Sequence, residues 1–178
     1  TQDWLIPFAS EDATREFNTQ FHNQTLFFPQ GAVIDLPTIC AELLDHPGID
    51  VRKEEAKIEP STPTFVCTAT AANTLPGFEW LEINKVAGRL HEVHHTETTL
   101  SVPIVGNGYA VPSSGSTMIG STYEYSPWED QDALDHNIRE NKAYLPRQHR
   151  VGKQQYGERA LTSDRNPIVG RLAANLWM

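Results

Sequence analysis

Four residues with metal-binding or acid–base chemistry stand together in His-Glu-Val-His-His, residues 91–95. The pattern matches H-E-x-x-H, in which two histidines one helical turn apart bind zinc and the glutamate activates the bound water. That arrangement requires a helix, and apolar residues at helical spacing permit one from about Glu79 to His94. Gly88 weakens such a helix by about 1 kcal/mol relative to alanine. The motif therefore needs support from its surroundings.

The surroundings of this motif favour a strand over a zinc site. The β-branched run TTLSVPIV, residues 98–105, predicts a strand directly after it. No G-x-x-H follows to supply the third ligand of one class of zinc peptidase, which leaves Glu124 as a distant alternative ligand. We expect no metal in this chain.

Composition excludes several protein classes. The chain has 178 residues and is 39% hydrophobic, enough for one domain or slightly more with a real core. No apolar run approaches the ~18 residues of a membrane span, and the first residues lack the pattern of a signal peptide. Cys40 and Cys67 stand alone in apolar stretches, which predicts reduced cysteines in the core of a cytoplasmic protein. We expect no membrane partner.

The charges are segregated along the chain. The net charge is −9, which by itself argues against nucleic-acid binding. Residues 139–171, however, contain eight Lys or Arg and three acidic residues, a net charge of +5 against −14 in the remainder. This segment is either a solvated charged face or a patch that approaches a polyanion. In the second case Lys142, Arg147 and Arg150 are the candidate nucleic-acid contacts.

The first half of the chain is divided by proline and glycine into short elements. Residues 1–25 are polar and predicted to be loosely ordered, and residues 26–34 predict a strand that turns at Pro29 to Gly31. Asp35 is placed to cap a helix over residues 36–45, which His46 to Gly48 end. TFVCTATAA, residues 64–72, predicts a short buried strand.

The second half predicts a hairpin followed by a helix. Residues 108–125 indicate two strands joined at Ser113 to Ser116, and residues 126–129 form a capping-box pattern that opens a helix to about Leu145. Its predicted core face contains Leu134, Ile138 and Leu145. Because helices and strands do not alternate regularly, the fold class is α+β, with a mainly antiparallel or mixed sheet and flanking helices.

The most specific stretch is YGERALTSDRNPIVG, residues 156–170. Its G-x-R followed by D-x-x-P-x-x-G resembles the closing motif of the D-amino-acid-oxidase-like FAD-dependent oxidoreductases. Upstream segments agree in order, namely residues 27–49, 65–72 and 107–124 and a helix with Asp135-His136. The variants HPGI and DR-x-P-x-VG look most like the oxidoreductase half of the bifunctional enzymes that modify wobble uridine in tRNA. The similarity runs over residues 26–172.

This resemblance implies a fold and an activity. It implies the substrate-binding domain of a flavoprotein over residues 26–178, after a polar segment over 1–25, with a remnant of the FAD domain near residues 50–75. Residues 85–93 enter that domain as a strand, contrary to the helix considered above. The implied reaction is oxidation of the C–N bond of a carboxymethylaminomethyl group on tRNA, with FAD bound in the full-length parent.

The resemblance also assigns residues. Arg159 matches the arginine that grips the substrate carboxylate, although a surface ion pair with Glu158 or Asp164 is the alternative. Tyr109 matches a tyrosine that lines the substrate site, against a half-buried strand aromatic. Gly157 and Pro167 shape the loop under the flavin, and Ala71 ends the strand that approaches the cofactor. No catalytic residue is assigned.

Two departures from the family limit these expectations. The dinucleotide-binding G-x-G-x-x-G is absent, and Ala69-Thr70-Ala71 stands where relatives have Ala-x-Gly. We therefore expect the chain alone to bind no FAD and to be inactive. Its expected partners are the remainder of the flavoprotein chain and tRNA. The alternatives are a glycine- or sarcosine-type oxidase, for which a basic segment is unnecessary, and a non-catalytic binding module.

Overall fold

The computed structural model describes residues 4–59, 61–97 and 100–178. The chain forms two compact units, which we call unit 1 (Thr1–Val33 and Val86–Glu158) and unit 2 (Ile34–Lys85 and Arg159–Met178). Strands and helices in both follow no regular alternation, so the α+β prediction is confirmed. The division at residue 25 stays a prediction. Among the described residues, no helix has the length and apolar character of a membrane span.

Unit 1 contains most of a five-stranded sheet with the order β5-β6-β7-β4-β8. Its strands are β4 (Ile83–His94), β5 (Ile104–Val105), β6 (Tyr109–Ser113), β7 (Ser116–Gly120) and β8 (Arg150–Thr162). The predicted hairpin is confirmed as β6 and β7, joined at Ser113 and Ser116. Of the strand predicted over residues 98–105, residues 98 and 99 lie outside the described residues, and Ile104–Val105 is the part that forms a strand.

The helix considered for residues 79–94 is wrong, because β4 occupies Ile83–His94, as the family resemblance implied. Arg89, His91 and Val93 are buried at alternate positions, the period of a strand. Two of these three residues are polar, so the alternation is hidden from hydropathy. The apolar residues alone imitate a helical spacing.

One helix covers the sheet of unit 1. This helix, α3 (Asp130–Asn141), buries Ala133, Asn137 and Asn141 and continues as a 3-10 helix over Lys142–Tyr144. The predicted capping box is wrong: Glu129 is the N-cap residue and makes no side-chain cap. The carboxylate of Glu124 instead accepts a hydrogen bond from the Trp128 N–H at 3.3 Å, which holds the preceding loop. Ile138 and Leu145 pack against the buried cluster that contains Val93 and Ile119, as expected.

Residues 4–25 of unit 1 contain regular elements, where the sequence predicted a loosely ordered segment. They contain β1 (Ile6–Phe8) and α1 (Ser10–Phe17), and β2 (Thr25–Phe27) pairs antiparallel with β1. Phe8 contacts Phe17 and Phe27 edge to face, with ring centroids 5.6 and 6.4 Å apart. The three phenylalanines are spread over a segment that is polar on average, so its mean hydropathy does not reveal the cluster. The strand predicted over residues 26–34 ends at Phe27, and the predicted turn closes where the Gly31 N–H donates to Phe28 O.

Unit 2 contains α2 (Leu36–Leu44) and a three-stranded sheet. The helix begins as predicted, because the Asp35 carboxylate accepts the Thr38 N–H at 3.2 Å. The sheet has the order β3-β10-β9, formed by Thr64–Phe65, Leu176–Trp177 and Arg171–Ala173. Its core comprises the buried residues Val66, Ala72, Phe78 and Leu81.

Two predictions for unit 2 are wrong. The strand expected over residues 64–72 ends at Phe65, and Ala69–Thr74 forms a 3-10 helix whose Ala71 N–H donates to Thr68 O. Both cysteines are exposed instead of buried in the core. Cys40 lies on α2, and Cys67 follows the short strand, so neither lies in the apolar interior that the neighbouring residues suggest.

Candidate functional site

Tyr109, the predicted substrate residue of unit 1, lies half-buried on β6 opposite Gly120 of β7. A Cβ atom built on Gly120 would lie 3.2 Å from Tyr109 Cζ and would collide with the Leu90 side chain. Gly120 therefore makes room for the tyrosine ring. Neighbouring strand residues point to opposite faces, so Tyr109 lies on the face away from buried Ala110 and the core beneath α3.

The residues of the H-E-x-x-H pattern are divided between separate environments. His91 is buried, and its two ring nitrogens contact Gln154 Oε1 and Asn137 Nδ2, each at 3.0 Å. Because Asn137 Nδ2 can only donate, His91 Nδ1 accepts, and His91 Nε2–H donates to Gln154. Burial lowers the pKa of His91 below its ordinary value, which agrees with this neutral form.

The other histidines have partners of their own. His95 Nε2 lies 2.9 Å from Thr117 Oγ1, and His94 Nε2 lies 3.5 Å from Glu92 Oε2. Four residues along a strand span about 13 Å, so His91 and His95 do not have the spacing of the helical motif. No group of three or more potential ligands among the described residues could hold a metal ion. That the segment binds no zinc stays a prediction.

A buried ionic network that the sequence did not predict lies beside His91. Arg89 Nη1 donates to Trp128 O at 3.0 Å and lies 3.5 Å from Glu124 Oε2, and both side chains are almost fully buried. Thr122 donates to the other oxygen of Glu124, and the Arg89 guanidinium lies over the Tyr156 ring, 5.7 Å from its centroid. A charged residue at an alternate position of β4 was the available signal, since a buried charge requires a partner.

Arg159, the predicted carboxylate-binding residue, is half-buried on the part of β8 that belongs to unit 2. The loop after β8 is closed by Asp164, whose carboxylate accepts the Asn166 N–H and Nδ2–H, each at 3.0 Å. These hydrogen bonds lower the pKa of Asp164. The carboxylate therefore acts as the turn-former that the sequence allowed.

A cavity of about 610 Å³ lies within unit 2. Its wall is mostly apolar, with four polar residues. The lining residues are Val66, Cys67, Thr68, Ala69, Ala72, Ile83, Ala160, Leu161, Thr162, Arg165, Asn166, Pro167, Ile168, Val169 and Met178. Of the predicted cofactor residues, Pro167 lines this cavity and Ala71 adjoins the lining residue Ala72. Gly157 belongs to unit 1 and lies within strand β8, not in the predicted loop, and a Cβ placed there would meet nothing within 4 Å.

The cavity suits part of FAD better than the whole molecule. Its apolar walls fit the flat ring system of a flavin. A pyrophosphate needs converging backbone N–H groups at a glycine-rich helix start. The described lining instead has the six-residue 3-10 helix Ala69–Thr74 and one cationic side chain, Arg165. The residues present thus fit the ring and do not fit the phosphates.

The predicted nucleic-acid residues lie along one continuous stretch of unit 1. Lys142 begins the 3-10 helix after α3, Arg147 lies in the following loop, and Arg150 begins β8. All three side chains are exposed. The stretch is therefore accessible to a large anionic partner.

Comparison with known proteins supports the resemblance seen in the closing motif. The chain is 26% identical over 206 residues to the tRNA 5-methylaminomethyl-2-thiouridine biosynthesis bifunctional protein MnmC of Paraburkholderia phytofirmans. The MnmC protein of Paraburkholderia xenovorans is also 26% identical, over 209 residues. Each match covers 96% of this chain and 31% of the relative, so the chain spans about a third of the length of these proteins. No protein-family model matches the chain.

Solved structures show the same fold. Iminodiacetate oxidase from Chelativorans sp. BNC1 superposes with a TM-score of 0.80 at 15% identity, over 97% of this chain and 56% of the oxidase. Glycine oxidase from Bacillus cereus superposes with a TM-score of 0.79 at 13% identity, over 97% of this chain and 57% of that protein. The predicted resemblance to oxidoreductases of the D-amino-acid-oxidase type, and to the tRNA-modifying bifunctional proteins, is thereby confirmed.

Proposed function

We propose that this chain is the substrate-binding part of an FAD-dependent oxidoreductase that cleaves the C–N bond of a carboxymethylaminomethyl group on tRNA wobble uridine. One observation carries the proposal: the relatives that match almost the whole chain are named for tRNA modification, while the proteins that share its fold are named as oxidases of glycine and iminodiacetate. Glycine and iminodiacetate both place an amine on the carbon next to a carboxylate. A carboxymethylaminomethyl group has that same arrangement.

Arg159 is the residue that would hold this carboxylate. A planar guanidinium can bind both carboxylate oxygens at once, which fixes the position of the neighbouring amine carbon. Tyr109, whose ring rests over Gly120, would line the substrate site. FAD, when bound in the parent, supplies the acceptor for the two electrons and the hydrogen that leave the amine carbon.

The cavity of unit 2 would receive the flavin ring, with Pro167 in its wall and Ala71 beside it. The phosphates of FAD would be bound by a part of the parent outside these 178 residues. We therefore expect the isolated chain to be colourless and inactive. Added FAD should leave its melting temperature unchanged, because a ligand stabilises only a fold that binds it. A yellow preparation would contradict this expectation.

tRNA would approach along the exposed stretch of Lys142, Arg147 and Arg150. Cations on such a surface bind phosphates with an affinity that falls as salt rises. A glycine oxidase would have no use for this stretch, and that favours tRNA as the substrate. Because tRNA is the proposed substrate, the proposed location is the cytoplasm.

Replacing Arg159 with lysine in the full-length parent tests the carboxylate assignment. Lysine keeps the charge and loses the two-pronged contact, so kcat/KM should fall on the order of 10- to 150-fold, the equivalent of about 1.5–3 kcal/mol. The flavin absorbance should barely change. Arg171→Lys, the same exchange in an exposed residue of unit 2 that donates to Ala173 O, should leave kcat/KM unchanged. Near-normal turnover of Arg159→Lys would assign the carboxylate to another residue.

Neutralising Lys142, Arg147 and Arg150 together in the parent tests the tRNA assignment. Binding of tRNA should weaken and its salt dependence should become shallower, while turnover of a small carboxylated amine should stay the same. Equal tRNA affinity of the triple variant and the wild type would contradict the assignment of tRNA binding to these three residues.

A second candidate is a small-molecule oxidase of the glycine or sarcosine type, which the shared fold with glycine oxidase favours. The same Arg159 would serve it. Comparing kcat/KM for glycine with that for carboxymethylaminomethyl-modified tRNA separates the two activities. A parent without flavin absorbance would instead indicate a non-catalytic binding module.

A further inference from the structure

Unit 1 has a groove of about 440 Å³ whose residues the proposed function does not use. Volumes of about 300–1,000 Å³ are typical of small-molecule sites. Five aromatic side chains line it, and we call it the aromatic groove: Phe17, Phe21, Phe27, Phe28 and Tyr144. Residues 102–105, which include β5, form much of the remaining wall.

Most rings of the aromatic groove hold one another in place. The Phe17 centroid lies 5.0 Å from that of Phe27 and 6.3 Å from that of Phe21, and the Phe21 centroid lies 6.3 Å from that of Tyr144. Phe21 and Tyr144 also pack against the buried core of unit 1. Phe28 is the most accessible of the five, at 49% exposed. A fixed aromatic wall with one accessible ring suits the stacking of a flat group.

The aromatic groove also carries hydrogen-bonding groups. Gln24 in its wall has an amide with both donor and acceptor atoms. Thr25 Oγ1, in the same wall, is buried and makes no hydrogen bond within the part of the chain that the structure describes. A buried hydroxyl without a partner costs free energy, so an occupant with hydrogen-bonding atoms suits this wall better than a purely apolar one. None of the described lining residues is charged.

The aromatic groove adjoins the basic stretch through one short element. Tyr144 lines the groove and ends the 3-10 helix that the exposed Lys142 begins. Residues 141–157 contain four Lys or Arg and no acidic residue, and the preceding Glu140 is paired with Arg139 at 3.0 Å. A nucleotide combines a flat, uncharged base with an anionic phosphate. The groove complements the first part and the basic stretch complements the second.

We propose that the aromatic groove binds an unpaired nucleobase of tRNA while the adjoining basic stretch binds the phosphates. The proposal rests on the proposed function for tRNA as the ligand. Single-stranded loops of RNA offer bases that can stack on aromatic side chains, whereas bases within an RNA helix stack on each other. The wobble uridine lies in such a loop, so its unpaired neighbours are the bases available to the groove.

Abasic RNA tests the proposal without any variant. Two single-stranded oligoribonucleotides of equal length carry the same phosphates, but one has bases and the other has abasic sites. The full-length parent should bind the base-bearing oligonucleotide at least about 5-fold more tightly, the lower end of the effect of one stacked base. Equal affinities for the two oligonucleotides would overturn the proposal.

Substitution of Phe28 in the parent assigns the effect to the aromatic groove. Phe28→Ala should weaken binding of the base-bearing oligonucleotide about 5- to 150-fold and leave binding of the abasic one unchanged. Phe28→Trp keeps an aromatic ring and should retain the affinity. Tyr125, a 72% exposed aromatic residue of unit 1 that does not line the groove, is the control, and Tyr125→Ala should change neither affinity. Equal effects of the two alanine variants would contradict the assignment.

The salt dependence separates stacking from phosphate binding. Phe28→Ala should weaken binding by the same factor at every salt concentration, because it removes no phosphate contact. Neutralising Lys142, Arg147 and Arg150 should instead make the salt dependence shallower. A shallower salt dependence for Phe28→Ala would show that the ring acts through the basic stretch, contrary to the proposal.

Sedimentation velocity distinguishes a nucleobase from a second copy of the protein as the occupant. If Phe28→Ala converts an oligomeric parent into monomers and leaves RNA binding unchanged, the groove is a self-association face and the proposal is overturned. None of these measurements uses turnover. A parent that oxidises modified tRNA but binds both oligonucleotides equally refutes this inference alone. A parent that discriminates between them through Phe28 but oxidises no carboxymethylaminomethyl group refutes the proposed function alone.

Discussion

Two regions of the molecule differ in which side chains they bury. The β4–α3 region of unit 1 contains Arg89, His91 and Glu124, and the α2 surface of unit 2 is the exposed stretch over residues 34–59. Under α3, polar residues are buried and find partners inside the unit: Arg89 contacts Glu124 and Trp128, and His91 contacts Gln154 and Asn137. On the α2 surface, apolar residues are exposed and find none among the residues described. In both regions, therefore, the polarity of a residue does not indicate whether its side chain is buried. The first region pairs buried Arg89 with buried Glu124, whereas the second leaves its apolar side chains exposed.

The largest loss of stability should come from breaking the Arg89–Glu124 ion pair of the β4–α3 region. Glu124→Ala leaves the buried Arg89 charge without its buried partner and should lower the free energy of unfolding by about 3–5 kcal/mol. Asp130, 3.7 Å from the same guanidinium with an 82% exposed side chain, is the control, and Asp130→Ala should cost less than about 1 kcal/mol. Denaturant unfolding measures both values. Similar losses from the two variants would show that burial does not govern this network.

A truncation in each region compares their packing. Changing the fully buried Ile119 to alanine in the 178-residue chain should lower the free energy of unfolding by about 2–5 kcal/mol, because a cavity remains. Leu43→Ala removes a side chain that is 68% exposed, so it should change the free energy of unfolding of the same chain by less than about 0.5 kcal/mol. Similar losses from the two variants would contradict the difference in burial between these side chains.

The pH dependence of stability tests whether His91 of the β4–α3 region is neutral in the folded protein. Burial lowers the pKa of His91 below 6.5, and Asp130 and Gln154 oppose this only in part. The unfolded chain therefore takes up a proton at higher pH than the folded chain. Stability from His91 is present above about pH 6.5 and is lost as the pH falls through the folded pKa.

The comparison protein for this titration is His91→Gln, which has no titrating ring. Its stability should depend less steeply on pH below about pH 6.5 than that of the wild type, as measured by urea unfolding between pH 5 and pH 8. Parallel curves for the two proteins would mean that folding does not lower the pKa of His91.

The smallest expected effect concerns metal. Removing divalent ions with a chelator should leave the melting temperature unchanged, since His91, Glu92 and His94 all have partners within the protein. Elemental analysis of protein purified without metal-affinity resin should find no stoichiometric zinc. One zinc per chain would contradict the separation of His91 from His95 along the extended chain.

The sequence alone determined the features that depend on neighbours in the chain. Asp35 caps α2 because its carboxylate reaches an N–H three residues away, and the β6–β7 hairpin forms around the turn at Ser113 to Ser116. The spacing of the residues in 156–170 was enough to indicate the oxidoreductase resemblance. Each of these signals lies within about 20 residues.

Only the tertiary structure decided which polar residues are buried and which apolar residues are not. Arg89 meets Glu124 across 35 positions and His91 meets Gln154 across 63, distances over which hydropathy carries no pairing information. For the same reason, the sequence permitted a helix over residues 79–94 and predicted a loosely ordered segment over residues 1–25 and cysteines in the core. The physical reason is common to all of them: local pattern fixes backbone geometry through neighbouring groups, whereas burial depends on contacts that form only when distant segments meet.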